Sequence, residues 1–179
     1  MNRQELKAAP RVVLVGEANP YGGDPRYALY CEPRNSAGGR LCFDILRMSR
    51  NEYVRTFGRV NLCPSKWSAP TARARALELA LGGAPLVLFG AKVCSAFGMS
   101  FDPFTIGSLI GRFPEGRIGE RVVKFTCAIL PHPSGLCRRW GEPPGQTENF
   151  ARARKLILDL RDAAERAQAV ATAPAGGEA

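Results

Sequence analysis

The sequence predicts a three-layer α/β/α protein with a central, four-stranded parallel sheet. Short apolar runs alternate along the chain with segments of helical periodicity, which is the pattern of strand–helix–strand units. The apolar runs are continuous and do not alternate with polar residues, as expected for strands that are buried on both faces. The chain has 179 residues, a length that suits one domain, and we assign residues 1–170 to it.

The apolar runs that predict strands each end at a glycine or before a proline. They cover residues 11–16, 60–63, 85–90 and 122–130. Because parallel strands share the edge of the sheet at which they end, the loops that follow them meet there. Ligands of open α/β sheets bind at that edge.

Helices are predicted between these strands and after the last one. The pattern Ser49-x-x-Glu52 is a capping box, and we expect its helix to be closed by Gly58. Thr147 is predicted to cap a long final helix, because the apolar residues after it recur at spacings of three and four. The other predicted helical segments are 41–48, 49–57, 71–81 and 91–97, and the apolar positions of the last helix run from Phe150 to Ala164.

The remaining segments are predicted to be irregular. Residues 17–39 and 99–121 are rich in glycine and proline. We expect 17–39 to be a long functional loop, because it leaves the carboxyl end of the first strand. The tail 171–179 consists mostly of small residues, and we expect it to be disordered.

The charge of the chain favours an anionic partner. The formal net charge is +9, the isoelectric point is about 9.7, and arginine supplies most of the 25 cations. Arginine suits phosphate recognition because its planar guanidinium binds two oxygens at once. Nucleic acid is therefore one candidate partner, and acidic proteins or membrane surfaces are the alternatives that charge alone leaves open.

The cysteines do not follow a metal-binding or secretory pattern. Six cysteines occur without C-x-x-C spacing, and the chain has a single histidine. We therefore predict no metal site and no cofactor, and we expect free, mostly buried thiols in a cytoplasmic protein. Since no apolar run is long enough to span a bilayer, we expect no membrane partner. We also expect a monomer.

The segment 130–140 carries the strongest functional signal. It places His132 between two prolines, which fix φ on both sides and stiffen the loop. Ser134 and Gly135 allow close backbone approach, Leu136 is apolar on a predicted exposed loop, and two arginines follow. Such a loop suits a polyanion such as a nucleic acid duplex, whose strands must be contacted and also separated locally. A proline-rich turn with a surface histidine is the alternative interpretation.

Five short segments resemble motifs of the uracil-DNA glycosylase superfamily, and they occur along the chain in the order that the family has. Together they span roughly residues 11–160. Gly16-Glu-Ala-Asn-Pro-Tyr21 resembles the water-activating motif, and His132-Pro-Ser-Gly-Leu136 resembles the motif that intercalates into DNA. The second motif is closest to the mismatch-specific uracil/thymine branch, although its histidine resembles the uracil-specific branch. The other three segments are Leu41-Cys-Phe43, Val60-Asn-Leu-Cys-Pro64 and Leu86-Val-Leu-Phe-Gly-Ala-Lys-Val93.

The resemblance implies hydrolysis of the bond between a pyrimidine base and its sugar. Asn19 stands where the family holds its attacking water, and Glu17 is the competing candidate, because another branch uses a glutamate there. An asparagine orients water but does not titrate near neutrality. His132 would donate a hydrogen bond to the base oxygen as negative charge develops on it, which a neutral imidazole can do.

The resemblance also implies how the base and the DNA are held. Asn61 would read the edge of the base, Phe43 would stack on it, Tyr21 would exclude the methyl group of thymine, and Ala18 would line the pocket. Leu136 would wedge into the gap left by the extruded nucleotide. The flanking phosphates are assigned to Ser134, Gly135, Arg138 and Arg139.

We therefore expect a monofunctional DNA glycosylase, without strand cleavage because no lysine nucleophile is evident. Uracil, mismatched thymine and a 5-substituted uracil remain open as its substrates, and residues 22–40 match no branch of the family. A non-catalytic module that binds uracil-containing or damaged DNA is the alternative. A nucleotide-binding α/β enzyme is disfavoured, since the G-x-G-x-x-G and G-x-x-x-x-G-K patterns are missing.

Overall fold

The protein is an α/β structure built on a five-stranded, mostly parallel sheet. The computed structural model describes residues 11–19, 22–115, 119–134 and 137–172. The strands are β1 Val13–Ala18, β2 Gly58–Cys63, β3 Leu86–Phe89, β4 Thr105–Glu115 and β5 Gly119–Leu130. Their order is β2-β1-β3-β5-β4, in which only β4 is antiparallel to its neighbour. The four strands predicted from the sequence are therefore present and parallel.

The prediction that residues 99–121 are irregular is wrong for β4 and for the start of β5. The two strands pair from Thr105 with Ile129 to Glu115 with Gly119. Glycines in this segment suggested a loop, but Gly111 serves close packing inside the strand. A Cβ there would lie 2.7 Å from the carbonyl oxygen of Phe97 and 2.9 Å from the ring of Phe125. The predicted four-stranded sheet thus gains an antiparallel edge strand.

The helices lie close to the predicted positions. They are α1 Ala37–Gly39, which continues as a π-helical turn over Arg40–Ile45, α2 Arg50–Thr56, α3 Ala69–Leu81, α4 Ala91–Ala96 and α5 Gly145–Thr172. Short 3₁₀ helices cover Pro25–Tyr27 and Arg138–Trp140.

The ends of α2 and α5 can be compared directly with the predicted helix caps. The Ser49 hydroxyl accepts a hydrogen bond from the Glu52 backbone N–H at 3.3 Å, which confirms the predicted start of α2. Gly58 does not close that helix, because Phe57 is already extended and Gly58 is the first residue of β2. The cap predicted at Thr147 is also wrong, since α5 begins at Gly145 and Thr147 lies in its first turn.

The sheet has an apolar core on each face. Leu14 of β1 packs with the π-helical turn, α2 and α5, whereas Val15 packs with α3 and α4. Successive side chains of a strand point to opposite faces, so the continuous apolar run of β1 supplies both cores. This arrangement is compatible with the predicted three layers.

Two further predictions concern the cysteines and the tail. All six cysteines are free, and all are buried except Cys137, which is partly exposed. Residues 173–179 lie outside the described part of the chain, which leaves the prediction of a disordered tail untested there. Within the described residues, no three metal-ligating side chains form a group, and no helix has the length and apolarity needed to cross a membrane.

Candidate active site

The loops after β1, β2 and β5 meet at the carboxyl edge of the sheet, as predicted. Gly16 of β1 pairs with Asn61 of β2, and Phe89 of β3 pairs with Leu130 of β5, so these strands end at a common level. A cavity of about 330 Å³ opens at this edge. One side of the cavity is formed at the strand ends, and its lining residues are Glu17, Ala18, Asn61, His132 and Ser134. The volume is at the lower end of the usual range for small-molecule sites.

Hydrogen bonds at His132 define the tautomer of its imidazole. The Ser134 backbone N–H donates to His132 Nδ1 at 3.3 Å, so Nδ1 is an acceptor and a neutral ring carries its proton on Nε2. The indole N–H of buried Trp140 donates to the His132 carbonyl oxygen at 2.7 Å. No described residue accepts a hydrogen bond from Nε2, which leaves this N–H as a donor for a ligand.

The surroundings of His132 favour its neutral form. Burial lowers the pKa of His132 below its ordinary value, and nearby Lys92 acts in the same direction, whereas the Glu17 carboxylate opposes them. Burial is the largest of these causes, so the lowered pKa of His132 favours the uncharged imidazole near neutral pH. A neutral imidazole with its proton on Nε2 can still donate one hydrogen bond.

Gly90, at the end of β3, lets Glu17 and His132 approach each other. Its φ of +92° is unfavourable for residues with a side chain. A Cβ at this position would lie 3.3 Å from His132 Cβ and 3.5 Å from Glu17 Oε1. The Glu17 side chain is 26% exposed, and its Oε2 lies 3.4 Å from Lys92 Nζ. The carboxylate is therefore partly desolvated, paired with a cation and adjacent to the histidine.

Asn61 is held in the cavity by its position opposite Gly16. A Cβ on Gly16 would lie only 2.3 Å from Asn61 Oδ1, so a glycine is required for the amide to occupy this place. The hydrogen bonds among the described residues include none to the Asn61 side chain. Its amide can therefore offer one donor and one acceptor to a ligand.

Asn19 does not line the cavity that holds Glu17 and His132. Its side chain is 4% exposed, and its amide donates to the Asp24 carbonyl oxygen at 3.2 Å, which ties β1 to the start of the following segment. Asn19 lines a neighbouring cavity of about 600 Å³, between β2, α3 and the segment 23–28, and Asn61 lines this cavity as well. Of the two candidates for positioning water, the structure therefore brings Glu17, and not Asn19, next to His132.

Phe43 also lies away from the cavity. It packs against the apolar core that contains α5, and the guanidinium of Arg34 lies 5.1 Å above its ring. The aromatic residues of the described chain that line the cavity are Tyr27 and Tyr30, whose rings meet edge to face at 5.7 Å. The sequence reading missed both. Two tyrosines three residues apart in the long loop after β1 were the signal available.

The segment 27–38 forms the whole opposite side of the cavity. We call it the wall segment, and its lining residues are Tyr27, Leu29, Tyr30, Ser36, Ala37 and Gly38. Three consecutive carbonyl groups of this segment accept hydrogen bonds from side chains, two of which lie outside the segment. Ala28 accepts from Arg59 at 3.2 Å, Leu29 from the Tyr53 hydroxyl at 2.9 Å, and Tyr30 from the Ser36 hydroxyl at 3.4 Å.

The wall segment is also conformationally constrained. Leu29 has a φ of +44°, which is unusual for a residue with a branched side chain. The Tyr30 ring lies 5.4 Å from the guanidinium groups of both Arg50 and Arg59. Tyr27, in contrast, is 47% exposed, so its ring can be covered by a ligand. The wall is thus fixed at its base and open at its rim.

The predicted DNA-contacting residues are described only in part. Tyr21, Gly135 and Leu136 lie outside the described residues. Ser134 lines the cavity, and Arg138 and Arg139 are exposed on the 3₁₀ helix that follows the His132 loop. The Arg139 guanidinium lies 5.0 Å from the Phe101 ring centroid, which orients it at the surface.

Comparison with known proteins does not assign the chain to a family. No family model matches it, and no curated protein matches it.

Proposed function

We propose that the protein is a monofunctional DNA glycosylase, which removes uracil or a related modified or mismatched pyrimidine after base flipping. The observation that carries the proposal is the meeting of Glu17, Asn61 and His132 in one cavity from three separate strand ends. Each residue offers a different chemical group. Glu17 offers a carboxylate, Asn61 offers an amide with a donor and an acceptor, and His132 offers a neutral N–H donor. The net charge of +9 fits a polyanionic substrate.

These residues match the needs of the reaction. Cleavage of an N-glycosidic bond leaves positive charge on the sugar and negative charge on the departing base. His132 Nε2–H would stabilise the base oxygen, and the Asn61 amide would pair with the adjacent N–H and carbonyl groups of the ring. Glu17 would orient water and accept its proton as oxygen bonds to C1′ and the C1′–N1 bond breaks. The base leaves with the bond electrons and then takes up a proton.

The experiment measures abasic sites in oligonucleotides that contain uracil, mismatched thymine or 5-hydroxymethyluracil, in single and double strands. The protein is made in cells that lack uracil-DNA glycosylase, so that contamination cannot produce the signal. We expect alkali-labile sites and free base from at least one of these substrates, without strand cleavage before alkali. If every oligonucleotide stays intact, the proposal is wrong. Tight binding of uracil-containing DNA without base release would instead support the non-catalytic alternative.

The absence of strand cleavage needs its own control, because Lys92 lies 3.4 Å from Glu17. A lysine that attacked the sugar would form a Schiff base, which borohydride reduces to a stable covalent adduct. We expect no adduct with the wild-type protein. A DNA adduct that disappears in Lys92→Gln would contradict the monofunctional assignment.

A further inference from the structure

A third cavity lies at the same edge of the sheet as the candidate active site. It has a volume of about 270 Å³ and is bounded by the loop after β2, the start of α3 and the start of α4. Its functional side chains are Trp67, Arg73 and Lys92. The glycosylase reaction described above uses neither Trp67 nor Arg73.

Trp67 is presented in a fixed position. The loop that carries it is closed at its base, where the Ser68 N–H donates to Cys63 Sγ at 3.3 Å, and the thiol donates back to the Ser68 carbonyl oxygen at 3.5 Å. One part of the indole packs against the apolar core on the α3 side, and the side chain is only partly buried. An aromatic plane is therefore offered to the cavity without the need to order a flexible loop.

The two cations stand on different helices. Arg73 is exposed on α3, and no described acidic side chain forms an ion pair with it. Lys92 is exposed on α4, and its Nζ lies 5.9 Å from the Trp67 ring centroid and 3.4 Å from Glu17 Oε2. Lys92 thus contacts residues of both cavities, so a ligand chain could pass from one to the other along it.

An aromatic plane beside two cations fits a ligand that is both aromatic and anionic. We propose that this cavity binds a second nucleotide of the DNA strand, with its base stacked on Trp67 and its phosphate near Arg73 and Lys92. The placement on the same strand as the excised base rests on the proposed function. The binding of a nucleotide unit rests only on this cavity.

Trp67 fluorescence provides a direct test, because the chain has only two tryptophans and the other, Trp140, is 1% exposed. We titrate the full-length protein with an undamaged, twelve-nucleotide oligothymidylate. We expect saturable quenching of the emission, which disappears in Trp67→Phe while the affinity measured by fluorescence anisotropy stays within about three-fold. Trp67→Ala is expected to weaken binding about ten-fold or more, as for other stacking residues.

The salt dependence tests the cations. We expect Arg73→Gln and Lys92→Gln each to lower the slope of log Kd against log salt by about one, whereas the control Arg121→Gln on β5 leaves it unchanged. Unaltered emission on DNA binding, wild-type affinity of a folded Trp67→Ala variant, or equal quenching by polyglutamate would overturn the inference.

The excision assay separates this inference from the proposed function. Quenching and salt effects as expected, but without base release from any substrate, would support the nucleotide site and reject the glycosylase. Base release by a protein whose Trp67 does not respond to DNA would reject this inference alone.

Discussion

The two sides of the candidate cavity are built from different kinds of structure. On one side, Glu17 and Asn61 lie in the last residues of β1 and β2, His132 follows the end of β5, and glycines at positions 16 and 90 give them room. The other side is the wall segment, which is fixed by hydrogen bonds from Tyr53 and Arg59 outside it and from Ser36 within it. Groups with chemical functions thus lie at, or directly after, strand ends, whereas the wall segment supplies shape and aromatic surface. We therefore expect changes on the first side to alter rates, and changes on the second to alter affinity.

The largest effect is expected for Glu17→Gln, which keeps the shape but removes the base. We expect kcat for base release to fall by about 10²–10⁴-fold, in the range of general acid–base catalysis, with little change in DNA affinity. Single-turnover kinetics would measure it. The control is Glu165→Gln on α5, which is expected to retain wild-type rates. A Glu17→Gln variant with more than a tenth of the wild-type rate would remove the carboxylate from the mechanism.

His132→Leu is expected to lower kcat by about 10²–10³-fold, the usual cost of losing one donor to a developing oxyanion. His132→Gln, which keeps an N–H donor, is expected to be less impaired. The same single-turnover measurement compares the two variants. Equal loss in both would indicate that the imidazole acts through its packing, and not through its hydrogen bond.

On the wall side, Tyr27→Ala is expected to raise the Kd for substrate DNA about ten-fold, since stacking of one base contributes on the order of 1–3 kcal/mol. Tyr27→Phe is expected to bind like the wild type. Phe43→Leu is the contrasting variant, for which we expect lower stability and an unchanged Kd. The Kd values are measured in variants that also carry Glu17→Gln, so that the substrate is not turned over during the measurement. An affinity that depends on Phe43 and not on Tyr27 would reverse the assignment of the stacking ring.

Tyr53→Phe tests how the wall is held. It leaves the buried Leu29 carbonyl without the hydroxyl that donates to it, and we expect a loss of about 1–3 kcal/mol in the free energy of unfolding. Urea denaturation measures this loss. The exposed Tyr27→Phe change is its control and should cost far less. If Tyr53→Phe is as stable as the wild type, the strained backbone at Leu29 does not depend on this bond.

The smallest effect concerns pH and stability. Because the folded-state pKa of His132 is lowered, the unfolded chain binds the proton more readily, and stability falls as pH drops below the ordinary histidine value of about 6.5. Above that pH, His132 is unprotonated in both states, and its protonation no longer affects the stability. We expect the stability difference between the wild type and His132→Gln to shift against the wild type between pH 7 and pH 5. A difference that does not depend on pH would mean that burial does not perturb His132.

The parts of the molecule that follow hydrophobic pattern could be predicted from the sequence. Residues 11–16 and 85–90 correspond closely to β1 and β3, and the carboxyl-edge rule predicts that the loops carrying Glu17, Asn61 and His132 meet. The rule works because parallel strands must end at the same edge, whatever their separation in the chain.

The rest depends on tertiary contacts that leave no periodic signal. The spacing of Tyr27 and Tyr30 does not by itself place them in the cavity with His132, because hydrogen bonds from Arg59 and Tyr53 fix that segment. Gly111 resembled a loop residue because a glycine that serves close packing looks the same in sequence as one that serves a turn. Asn19 and Glu17 could not be separated without knowing that the Asn19 amide binds Asp24.

The central claim is that this cavity holds a pyrimidine with its carbonyl oxygen on His132. The measurement that tests it most directly is the ¹⁵N spectrum of the imidazole, which needs no assignment because the chain has one histidine. In the Glu17→Gln variant at pH 7, we predict a neutral ring with its proton on Nε2, and a shift of that resonance when uracil-containing DNA replaces thymine-containing DNA in otherwise identical duplexes. A proton on Nδ1, or an Nε2 resonance that no uracil- or modified-pyrimidine-containing DNA moves, would contradict the account.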